Sequence, residues 1–301
     1  MQPVVAELEQ ARVGRVSLNE PLAGHTTWKI GGPADLFIVP DTREQLAAAL
    51  RLLHRHGVPW TMLGRGSNTL VSDLGVRGAV IKLGRGFDDA RFDGEIVTAG
   101  GSYSFVKLSV MAGKEGLTGL EFAGGIPGSV GGAVYMNAGA HGSDVSRIFK
   151  SADIVWEDGT FGEYGKEEMA FGYRHSILHE KKGVVTGASF QLRAGDRKEI
   201  AAAMASYKDR RLRTQPLTMA CAGSVFRNPP NDHAARLIEA AGLKGAREGA
   251  AEISRLHANF IVNHGGAKAE DVLTLMRRAQ STVEDRFGIR LVPEVLLMGE
   301  R

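Results

Sequence analysis

Between Ala123 and Gly142 the chain runs for twenty residues without an aspartate, glutamate, lysine or arginine, and seven of those residues are glycine. Glycine loses more backbone freedom on folding than any other residue, so a run this rich is costly unless the backbone must take left-handed turns or receive a close neighbour. Pro127, Asn137 and the glycines exclude a membrane-spanning helix. The lack of charge suits backbone laid against a flat or extended ring system better than a bare phosphate. The bland alternative is a glycine-rich crossover inside a core. Across the chain there are 39 glycines in 301 residues, nearly twice the usual ~7%. They follow no Gly-x-y period, which excludes collagen, and ten prolines are too few for a low-complexity linker.

A second glycine turn, Leu63-Gly64-Arg65-Gly66-Ser67-Asn68-Thr69, follows a short apolar run from Trp60. A Gly-x-Gly turn after a strand lets N–H groups converge on an anion, and Ser67, Asn68 and Thr69 add side-chain donors. It resembles a pyrophosphate cradle. It is no Rossmann fingerprint, because Thr69 stands where the third glycine belongs. Nor is it a Walker A loop, which ends in Gly-Lys-Ser/Thr. An ordinary tight turn is the competing reading.

Composition bounds the rest. The length predicts about two domains, and 37 basic against 34 acidic residues give a net charge of +3. No block of like charge and no basic–aromatic interleaving marks a nucleic-acid surface, so no nucleic acid is expected as a partner. A single cysteine, Cys221, excludes an intrachain disulfide framework. The opening MQPVVAELEQ has no signal-peptide pattern. The expectation is a cytoplasmic protein without membrane insertion. The nine histidines show no ligand spacing, and no metal is expected.

Hydrophobic periodicity predicts an apolar strand at 36–39, then a helix opened by the capping box Thr42–Gln45 and stopped by Gly57. Further strands are predicted at 79–83, 95–99, 151–156 and 184–192, with a turn at Asp158-Gly159. Helices are predicted at 102–115, at 201–211 behind the cap Asp196, at 231–241 and at 270–287. A last strand is predicted at 291–298. The expected organisation is 1–78, 79–195 and 196–301.

The two glycine segments together resemble the flavin-binding fold of the vanillyl-alcohol-oxidase type. Seven motifs narrow the resemblance: HTTWKIGGPAD at 25–35, GRGSN at 64–68, GIPGSVGGA at 125–133, NAG at 137–139, FGYRHS at 171–176, AGSVFRNP at 222–229 and PE at 293–294. Their order, covering 18–299, is that of the UDP-N-acetylenolpyruvoylglucosamine reductase family, and the short stretch after Arg174 resembles the branch without an extra substrate lid. This resemblance implies an α+β fold with two FAD-binding subdomains, 1–78 and 79–195. It also implies a substrate-binding domain at 196–301 whose last strand returns Glu294 to the active site. FAD would be held non-covalently by Leu63 to Thr69, by Gly125, Ile126, Pro127, Gly128, Ser129, Gly131, Gly132 and Ala133, and by Asn137, Ala138 and Gly139. NADPH would be the co-substrate. The substrate would be the enolpyruvyl ether of UDP-N-acetylglucosamine, reduced to UDP-N-acetylmuramate in peptidoglycan precursor synthesis by hydride from flavin N5 and a proton from a serine.

The resemblance puts the catalytic roles on Arg174, Ser224 and Glu294. Hydride addition leaves negative charge spread into the substrate carboxylate, and an always-cationic arginine neutralises it with paired donors. A surface salt bridge is the plainer fate of an arginine after a turn. Ser224 would deliver the proton, which a weakly acidic hydroxyl does only to a strongly basic carbon. As a nucleophile it is poorly placed, since AGSVF lacks the second glycine of a Gly-x-Ser-x-Gly elbow. Glu294 stands in an otherwise apolar stretch, where a carboxyl either points outward or lines a site. Near the substrate carboxylate its protonated form would donate a hydrogen bond. Tyr173, Asn228, Arg213 and Gln215 would contact the substrate, and turn or surface positions are the alternative for each. Cys221 reads as an inert small residue. The segment 245–254 departs from the family pattern, with Ala250 in place of a glycine and with Glu248 and Glu252. The rival readings are a flavin oxidase of the same fold acting on a sugar or hydroxy acid, and a flavin-free nucleotide-sugar-binding protein.

Overall fold

Where the sequence caps a helix, a helix begins. The computed structural model describes residues 2–300, and α1 (Gln2–Gln10) opens them. In α2 (Arg43–Arg55) the capping box is closed: Thr42 Oγ accepts from Gln45 N at 3.2 Å and Gln45 Oε1 from Thr42 N at 3.3 Å. Leu46, Ala49, Leu50 and Leu53 form its buried face, and Gly57 takes the left-handed turn after it, at φ 61. α3 (Phe105–Lys114) starts later than expected because Ser104 provides the cap, accepting from Lys107 N at 3.3 Å. Ser102 instead donates to Gly84 O at 3.1 Å.

α4 (Val130–Tyr135), inside the glycine run, was not anticipated. α5 (Arg197–Thr214) begins at Asp196, whose Oδ1 accepts from Lys198 N and Glu199 N. α6 (Ala234–Ala240) is shorter than the expected 231–241. Asn231 sits at φ 61, outside helical space. Asn228 Oδ1 accepts from Ala234 N at 3.1 Å, which fixes the first turn. α7 (Ala269–Phe287) closes on left-handed Gly288.

The chain divides into two compact units: 1–18, 36–65 and 78–209 form the first, and 19–35, 66–77 and 210–301 the second. The first unit contains a five-stranded antiparallel sheet in the order Phe161–Gly165, Phe149–Trp156, Gly183–Gln191, Ile96–Gly100, Ala90–Asp93. α3 and α4 pack with it around Phe105, Phe122 and Phe190, all buried. In a separate core α1 and α2 cover Trp60 and the strand residues Leu36, Ile38, Ala79 and Ile81. There Trp60 pairs in parallel with Ala79 and Met62 with Ile81. The second unit packs α6 and α7 with a three-stranded antiparallel sheet, Arg247–Glu248, Ala251–Ile253 and Ile261–Asn263. Trp28, Ile30 and Leu70 belong to that core. Segregated helices and mainly antiparallel strands make the molecule α+β.

The last strand is shorter than expected. Only Leu296–Met298 is a strand, parallel to Thr69–Val71. Pro293 has no N–H to donate, and the N–H groups of Glu294 and Val295 both go to Val225 O.

Candidate functional site

In the first unit, two glycine segments meet. Leu63, buried, donates its N–H to Ile81 O at 2.8 Å and so ends the strand Trp60–Met62 in register. At Gly64 a side chain would stand 3.1 Å from Ser129 Oγ. Ser129 is 4% exposed and caps α4 by accepting from Gly132 N at 3.3 Å. Around it the run is laced onto residues 101–105: Phe105 N donates to Gly128 O, Val130 N to Tyr103 O and Gly131 N to Gly101 O, at 2.9 to 3.1 Å. A Cβ on Gly131 would stand 3.1 Å from two carbonyls, Gly101 O and Val185 O. One face of the run, Ser129, Val130, Ala133 and Val134, is buried. Pro127 and Gly132 are exposed, and Gly125, Ile126 and Gly128 are half-buried.

An extended dinucleotide suits such a run: uncharged, glycine-rich backbone with one side anchored. Arg65, the one charge in the first turn, is exposed. Lys82 is half-buried, and burial, with Arg65 and Arg15 nearby, pulls its pKa down from the ordinary lysine value. The residues fit FAD.

Arg174 lies against the same run. Its Nη2 donates to Gly139 O at 2.9 Å, and the guanidinium carbon sits 5.0 Å from the centroid of the Tyr173 ring. Tyr173 itself is 56% exposed, so its edge is available to a ligand. Asn137 is buried and spends its amide on backbone, donating to Gly172 O and accepting from Ser146 N, both at 2.9 Å. Ala138 is buried. Gly139 packs too tightly on Ser143 and Asp144 to carry a side chain.

In the second unit, Gly66 at φ 63 lies so close to the backbone of His25 and Thr26 that a Cβ would collide with both. Thr27 N and Thr27 Oγ both donate to Gly66 O, at 3.1 and 3.2 Å. Asn68 Nδ2 donates to Glu294 O at 3.1 Å, and Leu296 N donates to Asn68 O at 2.9 Å. Thr69, buried, pairs with Leu296. The GRGSNT turn is thus tied to the segment that carries Glu294.

Ser224 follows Gly223, left-handed at φ 73, and precedes buried Val225 and Phe226. The backbone after it is held on both sides. Val225 N donates to Asn259 O and Phe226 N to Asn259 Oδ1, while Asn259 Nδ2 returns to Phe226 O at 2.8 Å. On the other side Glu294 N donates to Val225 O at 2.8 Å and Arg227 N to Val292 O at 2.9 Å. Ser224 and Glu294 are both half-exposed. Sequence had singled out both but not Asn259, a lone asparagine whose only local signal is its polarity. Asn228 gives its oxygen to the start of α6 and is otherwise exposed.

Gln215 Oε1 accepts from Arg211 Nε at 2.9 Å. Sequence had not singled out Arg211. Burial pulls its pKa down from the ordinary arginine value, with the nearby Cys221 acting in the opposite direction. Such a desolvated guanidinium, paired among the described residues with an amide and no carboxylate, suits an anionic ligand. Burial pushes the Cys221 thiol up, which disfavours the reactive thiolate. Glu252 and Glu248 bring charge to the atypical segment, where Glu252 is buried between Arg247, Arg255 and His264. Among the described residues no three His, Cys, Asp or Glu side chains are placed to hold a metal ion. No helix among them is long and apolar enough to cross a membrane.

Residues 34–164 match the family model of an FAD binding domain, and residues 215–298 match that of the C-terminal domain of UDP-N-acetylenolpyruvoylglucosamine reductase. The chain is 52% identical to the UDP-N-acetylenolpyruvoylglucosamine reductase of Bacillus licheniformis and 51% identical to that of Bacillus subtilis. The first alignment covers all of both chains and the second 99% of each. Among solved structures, the UDP-N-acetylenolpyruvylglucosamine reductase of Thermus caldophilus superposes with a TM-score of 0.81 at 38% identity, over 94% of this chain and 98% of that one. A reticuline dehydrogenase variant of berberine bridge enzyme shares the fold alone, with a TM-score of 0.51 at 11% identity over 64% of this chain and 44% of that one.

Proposed function

From the premise that this chain belongs to the UDP-N-acetylenolpyruvoylglucosamine reductase family, we propose that Arg174, Ser224 and Glu294 carry its chemistry. The protein is an FAD-dependent oxidoreductase that reduces the enolpyruvyl ether of UDP-N-acetylglucosamine to UDP-N-acetylmuramate, in peptidoglycan precursor synthesis. NADPH is proposed as the electron donor and the cytoplasm as the setting. FAD, when bound and reduced by NADPH, would supply the hydride that adds to the terminal carbon of the substrate's double bond. Leu63 to Thr69, the stretch from Gly125 to Ala133, and Asn137 to Gly139 are proposed to hold it. The two FAD-binding subdomains are read as 1–78 and 79–195, and the substrate-binding part as 196–301.

Ser224 Oγ gives its proton to the carbon next to the substrate carboxylate. That carbon becomes strongly basic as charge builds on it, which is what lets a weak acid act there. Arg174 binds the carboxylate, whose negative charge grows in the transition state, so a fixed guanidinium contributes more there than in the ground state. Glu294 is read as acting on the same carboxylate. Tyr173, Asn228, Arg213 and Gln215 bind the UDP-sugar, and Arg211 adds a desolvated cation beside Gln215.

The observation that carries the Ser224 role is its place in a loop braced by Asn259 on one side and by the Glu294 segment on the other. A proton donor needs that fixity. Replacing Ser224 by Ala should leave bleaching of the flavin by NADPH within about twofold of wild type. Reoxidation by the enolpyruvyl sugar should slow by about 10²–10⁴-fold, the usual contribution of a positioned general acid. Stopped-flow absorbance separates the two half-reactions, and equal loss in both would remove Ser224 from the proton-transfer step.

A further inference from the structure

Arg174 takes a left-handed backbone conformation, φ 53, that an arginine rarely adopts. Such a conformation persists only where the surroundings over-determine it. Here they do. Gly172 and His175 close the turn on each other, each N–H donating to the other's carbonyl at 3.1 and 3.2 Å. Two side chains then fasten the closed turn to the glycine run. Asn137 Nδ2 donates to Gly172 O at 2.9 Å on one side of Arg174. Ser176 Oγ donates to Tyr135 O at 2.7 Å on the other. Ser176 is 0% exposed, so its hydroxyl touches no solvent. A stack extends the brace: the Tyr135 and His179 rings lie 4.2 Å apart at 29°, and His175 lies over His179 at 5.1 Å. The guanidinium itself reaches Gly139 O, two residues beyond Asn137.

We propose that Ser176, with Asn137, is a positioning residue for Arg174: it locks the 172–175 turn onto the run 135–139 so that the guanidinium is aimed before substrate arrives. The proposal rests on the reading of Arg174 as the residue that binds the substrate carboxylate. Pre-organisation of this kind matters because a guanidinium misplaced by about 1 Å costs on the order of 10²-fold in rate. The same run is read as part of the FAD site, so the turn that carries Arg174 is indexed to the flavin segment through two side-chain-to-backbone hydrogen bonds.

The experiment is a double-variant cycle on the FAD-loaded protein, with Ser176→Ala, Arg174→Asn and both together. Asparagine removes the cation yet tolerates a left-handed backbone. Ser176→Ala should keep the flavin spectrum and reduction by NADPH within about twofold. It should slow reoxidation by the enolpyruvyl sugar about tenfold, and weaken binding of that sugar without NADPH, read by calorimetry, by about as much. Arg174→Asn should be slower still, and the double variant no slower than Arg174→Asn alone, because Ser176 acts through Arg174. If the two losses multiply, or if Ser176→Ala slows both half-reactions alike, the positioning role is overturned. Wild-type reoxidation in Ser176→Ala with a slow Arg174→Asn overturns the positioning role alone. Wild-type reoxidation in Arg174→Asn overturns the reading of Arg174, and the proposal with it. Ser176→Cys, which keeps the volume and a weaker donor, gives the same comparison should the alanine variant not fold, and an intermediate loss supports the proposal while none overturns it.

Discussion

Single residues carry this site, and most of them act through backbone. Gly66 shows why composition alone was informative. Its φ of 63 and its contact with the backbone of His25 and Thr26 leave no room for a Cβ. Gly66→Ala should therefore lower stability by about 2 kcal/mol, the cost of a strained conformation with no relief. A lower midpoint in thermal unfolding and weaker FAD retention check it, and an unchanged midpoint would show that the two backbones can part. The motif GRGSN marked Gly66 from sequence because glycine is required there by a local angle. Asn259 was illegible for the opposite reason. Its amide serves Phe226, 33 residues away, and nothing in its neighbours reports that. Arg174 and Ser224 stand inside the ordered motifs, whereas Arg211 and Ser176 come into view only through their hydrogen-bond partners.

Elements followed sequence where their determinants are short-range. The Thr42–Gln45 capping box and the Gly57 stop bound α2 as read, since both act within one turn. α7 was legible from the spacing of Val272, Leu275, Met276, Ala279 and Val283, all buried. Its start was not. Ala269 N and Glu270 N donate to the Asp73 carboxylate, 196 and 197 residues earlier in the chain. An acceptor there satisfies two orphan N–H groups and complements the helix dipole. Asp73→Ala should destabilise the protein by about 1 kcal/mol and Asp73→Asn by roughly half of that, read as the shift in the urea midpoint. Equal midpoints for all three would show that solvent satisfies those groups as well. α4 escaped the sequence reading because its glycines hide helix propensity; Ser129 and the bonds to 101–105 impose it. The strand expected at 291–298 shrank to Leu296–Met298 because Glu294 and Val295 bond the Ser224 loop instead.

At the scale of the molecule, the two units are stitched from separated pieces of chain, and charge is buried in the second. Glu252 is buried; desolvation would raise its carboxyl, but Arg247, His264 and Arg255 outweigh it and hold the pKa below the ordinary 4.5. A carboxyl depressed in the folded state adds stability above its unfolded pKa and loses it as pH falls through the folded one. Glu252→Gln should thus be less stable than wild type at neutral pH, with the gap narrowing as pH falls below the ordinary carboxylate value of 4.5. Thermal midpoints across that range test it, and a constant gap would mean that the carboxylate is not held charged by the fold. By itself the sequence determined the glycine turns, the helix caps and stops, the α+β class and, through seven ordered motifs, the reductase family. These are matters of φ, of bonds within a turn, or of residue order along the chain. Only the tertiary structure decided what holds Ser224, how Glu294 is tied to Asn68 across 226 positions, and which hydrogen bonds lock the Arg174 turn. Those depend on partners far along the chain, which periodicity over one helix or strand does not encode, and which burial makes specific because an unpaired polar group there is costly.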